Sequence, residues 1–242
     1  MSSVKERSKV GLPRLNRQAR SWLAGERRWP SALAAAWVRR FVEQTCHLPG
    51  TVAVVLIGSL ARTTHAPSDV DLLYVFDGEP VAFEDHPIDV DIRAFAKEAF
   101  ISELSDRHDV ITWALRYGRI ICERDTFWSA LIASFDGDLP LPSPDVTEER
   151  AQRAAEAYGQ FVEIGDQAAA LEQRISLLTH RAWTQLLKKQ IHPASRPELP
   201  EQLRAAGETS LAIDLASALR ERAAASHAST GVRGPRATPR GA

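Results

Sequence analysis

The sequence predicts an α/β (α+β) domain, a mixed sheet flanked by helices, followed by an α-helical bundle. Three observations point there. Residues 51–95 hold three short runs of strand length and composition. Helical periodicity brackets those runs on both sides. Beyond residue 145 it continues alone.

The elements follow in order. "PSALAAAWVRRFVEQTCHL" sets Leu33, Trp37, Val38, Phe41, Val42 and Cys46 at helical spacing behind a cap at Ser31, and Pro49-Gly50 stops it. "TVAVVLIG" is β-branched and apolar throughout, the profile of a strand covered on both faces. Residues 69–76 make a second strand ended by the turn "FDGEP", and "IDVDIRAF", 88–95, makes a third. The short connection between these two has no room for a helical crossover, which predicts an antiparallel pair. Helical spacing then returns through Ala96, Phe100, Ile101 and Leu104. "VITWALRYGRIICERD" reads as a short helix, a stop at Gly118 and an edge strand at Arg119–Glu123, with another helix over 126–135.

The stretch "DGDLPLPSPD", 136–145, is rich in proline, glycine and acids and is the expected domain boundary. Asp145 with Glu148 offers a capping signature for a helix reaching about Ile164. A second helix, 167–190, carries Leu171, Ile175, Leu178, Ala182 and Leu186 as its apolar stripe. Two shorter helices are expected around 198–206 and 210–224. The resulting organisation is a basic arm at 1–30, a sheet domain at 31–138, a helical domain at 145–224 and a disordered tail at 225–242.

Composition narrows the class. A chain of 242 residues with 44% hydrophobic content can bury a sizeable core. No stretch approaches the roughly 18 apolar residues of a membrane span, and the N-terminus shows no signal-peptide segment. Cys46 and Cys122 lack metal or redox spacing and read as two buried thiols in a reducing compartment. A soluble cytoplasmic protein with no membrane partner is expected. The net charge of −1 is unevenly spread: residues 1–40 hold ten Lys or Arg against Glu6 and Glu26, so the middle of the chain is acidic. Such an arm could grip nucleic acid or a polyphosphate, but it lacks interleaved aromatic platforms, which favours docking on the acidic body or simply solvating an amphipathic helix.

The chemistry concentrates in "LIGSLARTTHAPSDVDLLYVF", 56–76. A buried strand ends in Gly58-Ser59, and Asp69 and Asp71 then share one face of the next strand. Asp91, or Asp89, can face them from the strand after it. Converging carboxylates raise one another's pKa unless a cation sits between them. Magnesium suits such oxygen donors, and two such ions can serve the attacking and leaving oxygens of a displacement at phosphorus. Glycine lets the backbone approach a triphosphate, Ser59 can hydrogen-bond its oxygens, and Arg62 can add a charged contact. No His–acid pair stands ready to make Ser59 a nucleophile.

Together these residues resemble the signature of the DNA polymerase beta-like nucleotidyltransferase superfamily. That signature is an apolar residue with Gly-Ser, a spacer, Asp-x-Asp in a strand, and a third carboxylate on a following strand. "VDIRAF", 90–95, is similar to the third element, which makes Asp91 the better match and Asp89 the reserve. The layout is similar to minimal nucleotidyltransferases and to enzymes that nucleotidylate antibiotics. The resemblance implies Asp69, Asp71 and Asp91 as catalytic metal ligands, Gly58, Ser59 and Arg62 as nucleotide contacts, and two Mg²⁺. It implies transfer of a nucleoside monophosphate, AMP first, from ATP or another nucleoside triphosphate to a small-molecule hydroxyl. A partner protein or an RNA end is the alternative acceptor, and a catalytically silent nucleotide-binding module is the alternative class.

Other candidates have plainer readings. His65 reads as an exposed loop residue, and Trp37, Trp113 and Trp183 as packing. Lys188 and Lys189 read as a solvated helix end. Glu156 and Glu163 are candidate bases that read as surface residues.

Overall fold

The computed structural model describes residues 14–15, 29–62, 69–81 and 86–230. His65, most of the basic arm and the chain from residue 231 lie outside the described residues. The chain divides into two compact units, Met1–Pro142 and Ser143–Ala242.

The first unit is built on a mixed sheet. Its strands are β1 (Arg14–Leu15), β2 (Thr51–Ile57), β3 (Val70–Phe76), β4 (Val90–Ala96) and β5 (Arg119–Glu123), in the order β1-β5-β2-β3-β4. Every residue of β2 is buried, as a strand without polar alternation requires. Helix α1 (Ala32–Thr45) starts where the Ser31 hydroxyl accepts from the Ala34 N–H at 3.0 Å. It lays Ala34, Val38, Phe41 and Val42 on one face of the sheet, against Val54, Leu56, Leu72 and Tyr74. Leu33 turns outward, 74% exposed, because Ala34 and Ala35 take the inward positions. The further helices described in the unit are α2 (Gly58–Arg62), α3 (Lys97–Ser105), α4 (Asp109–Tyr117) and α5 (Phe127–Ala133). An aromatic cluster joins β4, α3 and α5, with Phe100 5.5 Å from Trp128 and 6.4 Å from Phe95.

Several expectations are corrected here. β3 and β4 pair in parallel, not antiparallel, with Asp71 beside Asp91. The physical reason is reach. A connection of residues 77–89 can extend to roughly 40 Å, well beyond the roughly 23 Å length of a seven-residue strand, so it is long enough for the chain to return to the start of a parallel neighbour. β5 is not the sheet edge, because the two residues of β1 pair with it at Cys122 and Glu123. That pairing docks part of the basic arm on the sheet. β3 begins at Val70, leaving Asp69 just ahead of it. Cys46 and Cys122 are not free thiols: the α1 cap and β5 bring their Cα atoms to 6.0 Å and the sulfurs are joined in a disulfide.

The second unit is helical: α6 (Pro144–Glu163), α7 (Gln167–Lys188), α8 (Leu199–Ala205) and α9 (Thr209–Thr230). Ile175, Leu178, Ala182 and Leu186 of α7 form a core with Leu199, Leu203, Ala212, Leu215 and Ala218. The cap of α6 is Ser143 rather than Asp145, since Pro144 fills the first helical position, where its missing N–H costs nothing. Glu148 instead pairs with Lys188 at 2.9 Å, and Lys189 with Glu208 at 2.6 Å, so both lysines are engaged within their own unit. α9 continues to Thr230, six residues into the stretch expected as tail.

Candidate functional site

The site forms where β2 stops and β3 begins. Ile57 is the register partner of Asp71, so the chain leaving β2 passes directly over that carboxylate. Gly58 makes the passage. Its φ of +68° lies in the left-handed region, and a Cβ there would stand 1.9 Å from Asp71 Oδ2. Only a residue without a side chain fits.

From Gly58 the chain enters α2, a five-residue helix whose Leu60 and Ala61 sink into the core. Ser59 lies between these anchors and Gly58. Its Oγ is buried and has no hydrogen-bond partner among the described residues. A buried hydroxyl without a partner costs about 1–3 kcal/mol, so such a group usually awaits a ligand or water. Arg62 closes the turn with its guanidinium carbon 4.3 Å from the centre of the Tyr117 ring.

Asp71 sits between Val70 and Leu72, both fully buried, at the start of a strand whose remaining residues are all buried. Burial, with the charges of Asp69 and Asp91, pushes its carboxyl from the ordinary 3.8 up to about 6, against a lowering by Arg93. Burial is the largest of these causes. Asp91 is its register neighbour on β4 and is itself paired with Arg93 at 3.3 Å. Asp91 and Arg93 are both about half exposed, so water screens their attraction. Asp69 is exposed ahead of β3, and Asp89 stands in the turn before β4, where its carbonyl accepts from the Val70 N–H at 2.8 Å.

The structure therefore brings Gly58 and Asp71 into direct apposition, with Asp91 beside Asp71 in the sheet and Asp69 near enough to act on its charge. Arg62 is turned onto Tyr117. Among the described residues no three His, Cys, Asp or Glu side chains are gathered closely enough to hold a metal ion by themselves. The donor chemistry nonetheless fits magnesium, which takes one or two carboxylates and completes its shell with water and phosphate oxygens. A dication here would also relieve the repulsion that raises Asp71.

Sequence reasoning missed the residues that hold the turn from outside. Arg119, the first residue of β5, donates from Nε to the carbonyl of Ala61. Gly118 before it has no room for a Cβ, which would meet Ala114 O at 2.3 Å and Val55 Cγ1 at 2.7 Å. The signal was present as Tyr-Gly-Arg at a helix-to-strand junction, but nothing in one sequence links that junction to Ala61.

The chain matches no protein-family model and no curated protein. Among solved structures it is similar to a nucleotidyltransferase-like protein from Exiguobacterium sibiricum, at 16% identity and a TM-score of 0.34. The match covers 78% of this chain and 74% of that one. A likeness so distant assigns no activity. No helix among the described residues is long and apolar enough to cross a membrane.

Proposed function

We propose that the first unit is a nucleotidyltransferase that moves a nucleoside monophosphate from a nucleoside triphosphate to an acceptor hydroxyl and releases pyrophosphate. One observation carries the reading. A glycine that tolerates no side chain lies against a carboxylate raised to about 6, near a buried serine hydroxyl that has no partner among the described residues.

Asp71 and Asp91 would hold magnesium, with Asp69 adding charge from the approach to β3. Magnesium, when bound, supplies neutralisation of phosphate charge and polarisation of the phosphorus. The Ser59 hydroxyl donates to a phosphate oxygen, and Gly58 leaves the backbone open to the triphosphate chain. The acceptor hydroxyl loses its proton to the Asp91 carboxylate as the new O–P bond forms and the bond to pyrophosphate breaks. Catalysis rests on positioning and charge. ATP is the first donor to try, and a small hydroxylated molecule the first acceptor, with a protein or RNA end as the alternative.

The test incubates the full chain with each labelled nucleoside triphosphate and Mg²⁺, beside Asp69→Asn and Asp71→Asn. Pyrophosphate release by the parent and its loss in both variants is the expected result. Label recovered in a small polyol, a protein or an RNA end identifies the acceptor class. Tight nucleotide binding without metal-dependent release, whatever the acceptor pool, would reject transfer in favour of a binding module.

A further inference from the structure

We infer that Arg119 is a positioning residue for the triphosphate-binding turn, acting through the Ala61 carbonyl rather than on the nucleotide. The inference rests on the reading of Gly58-Ser59 as the phosphate contact. A five-residue helix such as α2 is far below the length at which helices hold themselves. Its last carbonyls have no partner within the helix, and Ala61 O is one of them. Arg119 satisfies that carbonyl from a position 58 residues further along the chain. A cation at this end of a helix also complements its dipole.

The backbone of Arg119 is held firmly, although its side chain is exposed. The residue opens β5 in register with Leu56, a fully buried residue of β2, directly after the glycine wedged between Ala114 and Val55. The sheet thus fixes the arginine, the arginine fixes Ala61, and Ala61 lies two residues from the Ser59 hydroxyl. On the other side Tyr117, two residues before Arg119, carries Arg62 at 4.3 Å. Tyr117, Gly118 and Arg119 form a clamp around the C-terminal end of α2. Ser59 keeps its aim only while that clamp holds, and a loosened turn that must be ordered again on binding costs affinity.

The experiment compares the full chain with Arg119→Ala and Arg119→Lys in nucleotide binding with Mg²⁺ and in steady-state turnover. Removing one charge-assisted hydrogen bond should raise Kd and KM for the triphosphate roughly ten-fold in Arg119→Ala. The turnover number and the acceptor KM should stay near the parent's, and Arg119→Lys should recover part of the affinity. Amide hydrogen exchange should quicken at residues 58–62 while β2 and α1 keep their protection. A lowered Tm with unchanged triphosphate affinity in the folded variants would make Arg119 merely structural and overturn the inference. So would exchange at 58–62 that does not change. If Arg119→Ala does not fold, Arg119→Lys decides the matter: no loss of affinity and no faster exchange there rejects the role. A parent protein that neither binds nucleotide nor releases pyrophosphate overturns the functional reading and this inference with it. A parent that turns over beside indifferent Arg119 variants overturns this inference alone.

Discussion

The two ends of the β2–β3 pair carry similar residues and treat them in opposite ways. At one end, where Thr51 faces Phe76, Asp77 meets the buried Arg124 at 2.9 Å, and that arginine also donates to Pro49 O. The Asp77 N–H bonds Gly50 O at 2.8 Å, the Thr51 hydroxyl bonds Thr45 O at 2.8 Å, and the Cys46–Cys122 disulfide ties helix to sheet close by. At the other end Asp71 is buried near Asp69 and Asp91 with only Arg93 in opposition, Ser59 has no partner among the described residues, and Gly58 sits in a left-handed conformation. One end closes the fold. The other leaves stability unused, which is what the proposed site would require.

Removing the staple tests the closed end most severely. Replacing both cysteines by alanine opens a link across 76 residues, worth about 4 kcal/mol in the chain-entropy account. Denaturant unfolding should show that loss, while nucleotide affinity of the folded variant stays at the parent's level. Lost affinity would mean that the two ends are coupled.

The open end is tested by Gly58→Ala. The left-handed conformation costs a side chain about 1–2 kcal/mol, and overpacking against Asp71 a similar amount, so about 3 kcal/mol is expected with turnover abolished. Adding Asp71→Ala removes the clashing carboxyl. The double variant should then be more stable than Gly58→Ala alone, a coupling readable in a thermodynamic cycle.

Asp71→Asn reverses the sign. Below pH 3.8 the carboxyl is protonated in folded and unfolded chains and costs nothing. Between 3.8 and about 6 the unfolded chain ionises first, so stability falls as pH rises, and above about 6 the whole cost is present. The variant should therefore gain about 3 kcal/mol at pH 7.5, almost none near pH 3.5, and lose pyrophosphate release. Unfolding at both pH values checks it; equal gains at both would exclude charge as the cause.

Much of this contrast was legible in the sequence, and the limits are physical. β2 declared itself because seven unalternated apolar residues can only be covered on both faces. Gly58-Ser59 and Asp71 were readable because a glycine–serine turn and a carboxylate in an apolar strand both break local rules. The pairing of β3 with β4 was not, since a connection's length limits its path without choosing one. The disulfide was missed because Cys46 and Cys122 meet only through tertiary structure. The same holds for Arg119 and Ala61, and for Arg124 and Asp77: long-range partners leave no period or motif to read.

Asp77→Asn makes the chemical change of Asp71→Asn at the closed end of the same strand. Asp77 is 49% exposed in its side chain and its partner Arg124 only 8%, so the charge removed is partly screened while the charge left behind is not. The asparagine oxygen can still accept from Arg124, which preserves the hydrogen bond and removes only the Coulomb attraction. A loss of about 1 kcal/mol is expected, reduced by solvent screening and further by added salt. Turnover and triphosphate affinity should not move. One substitution at two positions then gives opposite signs of stability, and only the stabilising one abolishes activity. If Asp77→Asn also impaired nucleotide binding, the functional cost would not be confined to the open end, and the division between a structural and a chemical end of the sheet would fail.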